Sequence, residues 1–266
     1  MSRGKKQQAI AFAVPFADGG RLVRRHTGFL SDGSYLFQDQ LRVDGFLTPT
    51  IITSTAWLLE FYYLTSGEMY CCSGTKRIKP QARKFGILYP PFSITKPCFK
   101  STRTKLWGLA GDHRLPDDIP NTPVLFSSTF VDVPSGVEQA VAIIRAGTKP
   151  QAVAAYPSPS LLSLKAKRLI DQNYFDYPSI TRIAARLGVS LEHLSRQFKI
   201  DYELTPSSYL RQLRLADVPL QLARGEEIVK VSENAGYNDL SRFYKQFRKT
   251  TRSSPGACRS VMKPRS

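Results

Sequence analysis

The feature that most constrains this 266-residue chain is an internal repeat in its C-terminal part. Ile180, Ile183, Ala184, Leu187, Gly188, Val189 and Ser190 recur 48 residues later as Ile228, Val231, Ser232, Ala235, Gly236, Tyr237 and Asn238. After one inserted residue the match resumes at an offset of 49, with Leu194 and Phe198 answered by Phe243 and Phe247, and Thr205-Pro206 by Ser254-Pro255. Spacing kept over so many apolar and turn positions marks a duplicated structural unit. In the first copy Ser179 can cap a helix with Ile180, Ile183, Ala184 and Leu187 on its inner stripe, and Gly188 suits the left-handed residue that ends it. Ser190 then caps a second helix, Ser190 to Ile200, that turns Leu194 and Phe198 inward. In the second copy Gly236 ends one helix and Asn238 caps the next, Asn238 to Lys249, which buries Phe243 and Phe247. Small residues at Ala184 and Ser232 let the helices of each unit cross closely. This is the helix-turn-helix plan, in which the second helix enters the major groove of DNA.

The same stripes would serve as the core of a plain helical bundle, so the solvent side must decide. It carries Arg196 and Lys199 in the first unit and Arg242, Lys245, Arg248 and Lys249 in the second. Across the chain 38 Lys and Arg against 21 Asp and Glu give a formal charge of +17. Such a surface attracts polyanions, nucleic acid ahead of an anionic membrane. Double-stranded DNA is the expected partner, with Ser190, Lys199, Asn238, Arg248 and Lys249 expected to meet phosphate. A connecting helix over Pro206–Arg224 would span about 28 Å, close to the ~34 Å between successive major-groove faces on one side of B-DNA. Pro219 inside it predicts a bend or an early end, since proline removes a backbone hydrogen bond.

The first half reads as β-rich. Ser34 to Gln38, Trp57 to Leu64, Glu68 to Cys72 and Phe85 to Tyr89 are strand-like, with turns at Ser66-Gly67 and Ser73-Gly74 and a stop at Pro90-Pro91. Trp57, Leu59, Phe61 and Tyr63 would share one face, by default packed core, and Leu58, Glu60, Tyr62 and Leu64 the other. Short strands at this spacing predict a sandwich or barrel. Gly136 to Ala146 has helical periodicity, and Gly147 to Ser160 is rich in Pro, Ala and Ser, which places the domain boundary near Pro150 to Pro159. The domains are expected at 1–148, 149–162 as linker, and 163–262.

Cys71, Cys72, Cys98 and Cys258 show no CxxC spacing, which fits a reducing cytoplasm better than a disulfide framework. Lys5 and Lys6 before the apolar run Ala9 to Ala17 are loosely like a signal peptide, but Pro15 interrupts the run and Arg21, Arg24 and Arg25 follow, so export is not expected. No stretch approaches the ~18 uncharged apolar residues of a membrane-spanning helix. His26 and His113 lie far apart and outside any ligand motif, so neither metal nor another cofactor is expected.

Over Ser163 to Arg259 the sequence resembles the AraC/XylS family of bacterial transcription regulators. The matching strings are Ile183-Ala184 through Leu187-Gly188-Val189-Ser190, Leu194-Ser195-Arg196-Gln197-Phe198, Thr205-Pro206, Tyr209-Leu210, Arg214-Leu215, and Ala235-Gly236-Tyr237 through Phe243, Phe247 and Pro255. The resemblance implies contact with two adjacent grooves and recruitment of RNA polymerase, usually as an activator. It puts the base-facing positions at Glu192, Ser195 and Arg196 in the first unit, and at Leu240, Ser241, Arg242 and Lys245 in the second. Arg196 and Arg242 suit guanine, Glu192 cytosine, and Leu240 a thymine methyl. Glu192 can equally complement the helix dipole beside Ser190, Leu240 can be partly packed, and His193 can meet a phosphate or pack on the surface.

Several positions depart from the family pattern. Glu203 stands where a glycine usually precedes Thr-Pro, Arg252 at its counterpart, and Cys258 in place of a tyrosine; Val218, Pro219 and Gln221 are also unusual in the connecting helix. More faintly, Trp57 to Gly111 with Tyr89-Pro90-Pro91 looks like the family's sensor and dimerisation domain. The expected fold is therefore an α+β multidomain chain, an N-terminal β-rich cupin-like barrel followed by an all-α domain with two helix-turn-helix units. A small-molecule effector, a homodimer, or an interaction module without a ligand all remain open. The competing reading is a DNA-repair or nucleic-acid-processing enzyme with a helix-turn-helix targeting module. Cys71, Cys72 and Cys98 lack the zinc-and-thiol arrangement of such proteins, and no GxSxG, HExxH, Walker loop or GxGxxG occurs, so no enzyme is expected.

Overall fold

A computed structural model of the chain describes residues 20–48, 50–73, 76–112, 114–128, 134–153, 159–176, 179–251 and 254–256. The apolar run Ala9 to Ala17, Gly74, His113, Arg252 and Cys258 lie outside them, as do the side chains of His26, Cys72 and Lys249.

The N-terminal part is built on strands β1 (Gly20–Phe29), β2 (Tyr35–Val43), β3 (Phe46–Leu47), β4 (Ile51–Ile52), β5 (Trp57–Ser73), β6 (Lys76–Ile78), β7 (Lys84–Tyr89), β8 (Ile94–Thr95), β9 (Pro97–Gly111) and β10 (Val124–Ser127). Helix α1 (Val137–Ala146) and strand β11 (Thr148–Ala152) complete it. The main sheet runs β1-β2-β9-β5-β7-β10-β11, with β3 on β9 and β6 on β5, while β4 and β8 form a separate pair. This corrects the expected closed barrel. Among the described residues β1 pairs only with β2 and β11 only with β10, so the sheet keeps two free ends.

The alternation expected for Trp57 to Leu64 sorts its side chains into two cores. Trp57, Leu59 and Phe61 pack with Leu88, Leu109, Phe126 and the α1 residues Ala140, Val141 and Ile143. Leu58, Tyr62 and Leu64 belong to the other cluster, with Phe37, Phe85, Tyr89 and Leu106. Both faces are covered, which needs no closure into a barrel. Tyr63 departs from the expected core: it is 42% exposed, and the Lys84 ammonium lies 5.5 Å from its ring centre.

Two of the expected strands are one. Ser66-Gly67 is no turn; β5 continues through it, with register shifts against β9 at Leu64/Ser66 and Ser66/Glu68. A bulge of this kind tolerates one residue at positive φ. Gly67 supplies it at φ 77°, and a Cβ there would sit 2.2 Å from the Ser101 carbonyl oxygen.

The C-terminal part is helical: α2 (Leu161–Asn173), a 3-10 turn (Tyr174–Asp176), α3 (Ile180–Arg186), α4 (Leu191–Tyr202), α5 (Pro206–Ala223), α6 (Ile228–Asn234) and α7 (Leu240–Thr251). Helix α5 does not end early at Pro219; it continues to Ala223, capped at its start by the Thr205 hydroxyl, which accepts from Ser208 N at 3.2 Å. No helix among the described residues is long and apolar enough to cross a membrane.

The two parts share their cores. Ile52 and Ile94 pack in one cluster with Ile170, Tyr174, Ile183, Leu194, Phe198 and Leu213. The sheet cluster of Tyr62 and Phe85 is continuous with Leu215, Val218, Leu222, Val231, Phe243 and Phe247. Polar ties cross the same seam. The Tyr174 hydroxyl donates to Asp217 at 2.5 Å, Ser54 donates to the other oxygen of that buried carboxylate, and Arg224 pairs with Asp112 at 2.5 Å.

Candidate nucleic-acid interface

Each unit is a helix pair closed by a left-handed glycine. Gly188 follows α3 at φ 71° and Gly236 follows α6 at φ 86°, as the repeat requires. Ile183 and Ala184 of the first unit and Val231 and Ser232 of the second are buried at equivalent positions. Leu194 and Phe198 in α4, and Phe243 and Phe247 in α7, are fully buried. These apolar anchors fix which face of α4 and α7 turns outward.

The caps agree with the sequence in the first unit and correct it in the second. Ser179 accepts from Arg182 N and Ser190 from His193 N. Asn238, expected to cap α7, does not. The neighbouring Asp239 accepts from Ser241 N at 2.8 Å and Arg242 N at 3.4 Å, because it is the residue directly before the first helical position. An aspartate there also complements the positive end of the helix dipole.

On α4, Glu192, Ser195, Arg196 and Lys199 recur at three- and four-residue steps on one stripe, all exposed except the half-buried Ser195. The Arg196 guanidinium lies 3.5 Å from His193 Nδ1, within that stripe. On α7, Ser241, Arg242, Lys245 and Arg248 are exposed, as is Asn238 before it. Leu240 opens the helix 40% exposed, so it offers apolar surface instead of core packing. Lys249 lies in the last turns of α7 and its side chain is outside the described residues. Both second helices therefore present a cationic outer stripe with short polar side chains between the cations. Such a surface can bond to phosphate and to base edges at once.

Glu203 has a role that the sequence flagged only as a departure. It ends α4 in the left-handed region at φ 59°, the conformation for which glycine is the usual choice. Its carboxylate pairs with Lys96, between β8 and β9. Asp217 was not singled out at all. Burial raises its carboxyl to about 6, against the hydrogen bonds from Ser54 and Tyr174 that favour the charged form. Among the described residues no group of His, Cys, Asp and Glu lies where it could hold a metal ion.

Comparison with known proteins adds to this geometry. A family model described as a helix-turn-helix domain matches residues 183–260. The chain is 30% identical over 91 residues to the HTH-type transcriptional activator RhaS of Pectobacterium carotovorum subsp. carotovorum (strain PC1), covering 34% of this chain and 33% of that protein. It is 35% identical over 97 residues to the transcriptional activator NphR of Rhodococcus sp, covering 36% and 29% respectively. The chain thus spans about a third of the length of these curated relatives. Among solved structures, a probable AraC family transcriptional regulator from Rhodopseudomonas palustris CGA009 matches at a TM-score of 0.37 and 18% identity, over 40% of this chain and 100% of that one.

Proposed function

Residues 183–260 being a helix-turn-helix domain of the AraC/XylS type, we propose that the chain is a sequence-specific DNA-binding transcription regulator, acting as an activator, that sets α4 and α7 into adjacent major grooves. The observation that carries this reading is the duplication itself: two helix pairs with equivalent buried anchors, each turning a cationic stripe outward. Helix α5, at 18 residues, is about 27 Å long, of the order of the ~34 Å repeat of the groove. Arg196 and Arg242 read guanine, Glu192 and Ser195 flank the first, and Leu240, Ser241 and Lys245 flank the second. Ser190, Lys199, Asn238, Arg248 and Lys249 meet phosphate.

The remaining assignments follow from this one. The β-rich part serves as a sensor or dimerisation domain and the helical part as the DNA-binding domain; the expected boundaries at 148 and 162 move, because Thr148–Ala152 pairs with β10 as part of the sheet and α2 already begins at Leu161. The partners are double-stranded DNA, RNA polymerase, a second copy of the chain and a small effector, in the cytoplasm. That the two relatives described above are named as transcriptional activators supports activation over repression. Selection of bound duplexes from a random library, followed by hydroxyl-radical footprinting, tests the reading. Two protected segments about one helical turn apart are expected; binding without sequence preference overturns it.

A further inference from the structure

The sheet carries a second cationic surface besides the stripes of α4 and α7. Register across β2, β9, β5 and β7 sets Gln40, Lys105, Tyr63 and Lys84 in one row. One step further along β9, Arg103 stands between Arg42 of β2 and Ser66 of β5. Opposed residues share a face of a sheet. This is the face of Phe61 and Trp107, whose core is covered by α1 and, among the described residues, draws on none of α2 to α7. Gln40, Arg42, Tyr63, Arg103 and Lys105 lie beyond that core and are exposed.

The charge of this surface is of one sign. Asp44 already pairs with Arg42 at 3.0 Å, and Glu68, opposite Lys100, with Lys79 at 2.9 Å. Asp39 of β2 is buried on the other face, opposite Leu106. Among the described residues no carboxylate forms an ion pair with Lys84, Arg103 or Lys105. Arg83 joins them just before β7, fixed by its hydrogen bond to the Thr65 carbonyl at 3.2 Å.

The spread of these charges selects the partner. With strands about 4.8 Å apart, Lys105 and Lys84, two strands away from each other, are separated by about 10 Å at the backbone, and Arg103 follows Lys105 by about 7 Å. A small anion meets one such charge, while duplex DNA carries a charge for about every 1.7 Å of its axis and meets several. A single strand needs open rings on which its bases can stack, and the Tyr63 ring already has the Lys84 ammonium 5.5 Å from its centre. A bilayer surface needs apolar side chains to take in, and the two rows expose no aliphatic one.

We propose that this outer face of β9 and its neighbours is a second DNA surface, which holds the phosphate backbone of duplex outside the segment read by α4 and α7. The inference rests on the DNA-binding reading for its partner. Since both surfaces belong to one chain, seating α4 and α7 raises the local concentration of flanking duplex at the sheet. The sheet then adds affinity and salt dependence without adding base preference.

The test uses the full chain and fluorescence anisotropy over a range of salt. The selected sequence is presented in about 20 base pairs, enough for two adjacent grooves, or in about 60 with scrambled flanks. Arg103→Gln with Lys105→Gln should lower affinity for the long duplex by about ten-fold or more, and its salt slope by about 2. Affinity for the short duplex should stay as in the parent. Lys84→Gln, on another strand, should lower the long-duplex slope by about 1 by itself, and decides the matter if the double variant fails to melt cooperatively. Arg114→Gln with Arg145→Gln, an equal loss of charge elsewhere in the β-rich part, should bind both lengths as the parent does. No loss on the long duplex, an equal loss on both lengths, or the same loss in the Arg114 and Arg145 variant overturns the inference. So does a variant that keeps long-duplex binding but loses binding to single-stranded DNA or to phosphatidylglycerol vesicles, since the surface then has another occupant. Selective short-duplex binding with no effect of the sheet variants on the long duplex refutes this inference alone. A chain without selective binding, whose Arg103 and Lys105 variant still loses affinity for a scrambled long duplex, refutes the DNA reading of α4 and α7 alone.

Discussion

Glu203 and Lys96 join the end of α4 to the β-rich part by an ion pair, made from a residue held in the left-handed region. A non-glycine residue pays about 1 to 2 kcal/mol for that conformation. The pair does not offset this in full, because the Glu203 side chain is 62% exposed and surface pairs contribute about 0 to 1 kcal/mol.

Substitutions at Glu203 separate the two effects. Glu203→Ala loses the pair and keeps the strained backbone, so it should lower stability. Glu203→Gly loses the pair but removes the strain, and should exceed Glu203→Ala by about 1 kcal/mol. Urea melts of the two variants check this, and an alanine variant more stable than the glycine variant contradicts it.

Glu60 gives a pH dependence of definite sign. Its side chain has no exposed surface, and burial raises the carboxyl from 4.5 to about 7 despite the hydroxyls of Tyr62 and Tyr89, with Asp39 adding to the rise. A carboxyl raised on folding binds its proton more tightly in the native state. Its contribution to stability is therefore full below pH 4.5 and is lost as pH rises through 7. Glu60→Gln has no such titration. The stability of the parent relative to this variant should fall by about 3 kcal/mol between pH 4 and pH 8, read from urea melts at both values. A difference that stays constant with pH contradicts the assignment.

Lys199 and Arg248, exposed on the outer faces of α4 and α7, should act through phosphate. Each alanine variant is expected to weaken cognate and scrambled duplexes alike, and to reduce the slope of log affinity against log salt by about 1. Titrations by fluorescence anisotropy at several salt concentrations measure this. An unchanged slope removes that residue from the phosphate contacts.

The helical part was the more legible in sequence because its signals are local. Gly188, Gly236, Ser179, Ser190 and Thr205 act within a few residues of their place in the chain, and Leu194, Phe198, Phe243 and Phe247 keep the helical period. The β-rich part depends on distant partners. Strand β9, central in the sheet, was missed because its outward Lys100, Arg103 and Lys105 alternate with buried Thr102 and Thr104, which reads as a polar loop. Ser66-Gly67 has the chemistry of a turn, and only the approach of the Ser101 carbonyl makes it a bulge. Asp217 resembles any solvated helix acid until Ser54, 163 residues earlier, is brought against it. The interface residues could be placed on an outer face from sequence, but which base each reads depends on the partner duplex.

The two-groove reading is tested most directly by comparing the duplexes selected from a random library by the intact chain, by Arg196→Ala and by Arg242→Ala. Helices in adjacent grooves should lose preference at two separate positions about 10 base pairs apart, each by about 1 to 3 kcal/mol. Loss at one shared position, or selected sequences identical to those of the intact chain, would contradict it.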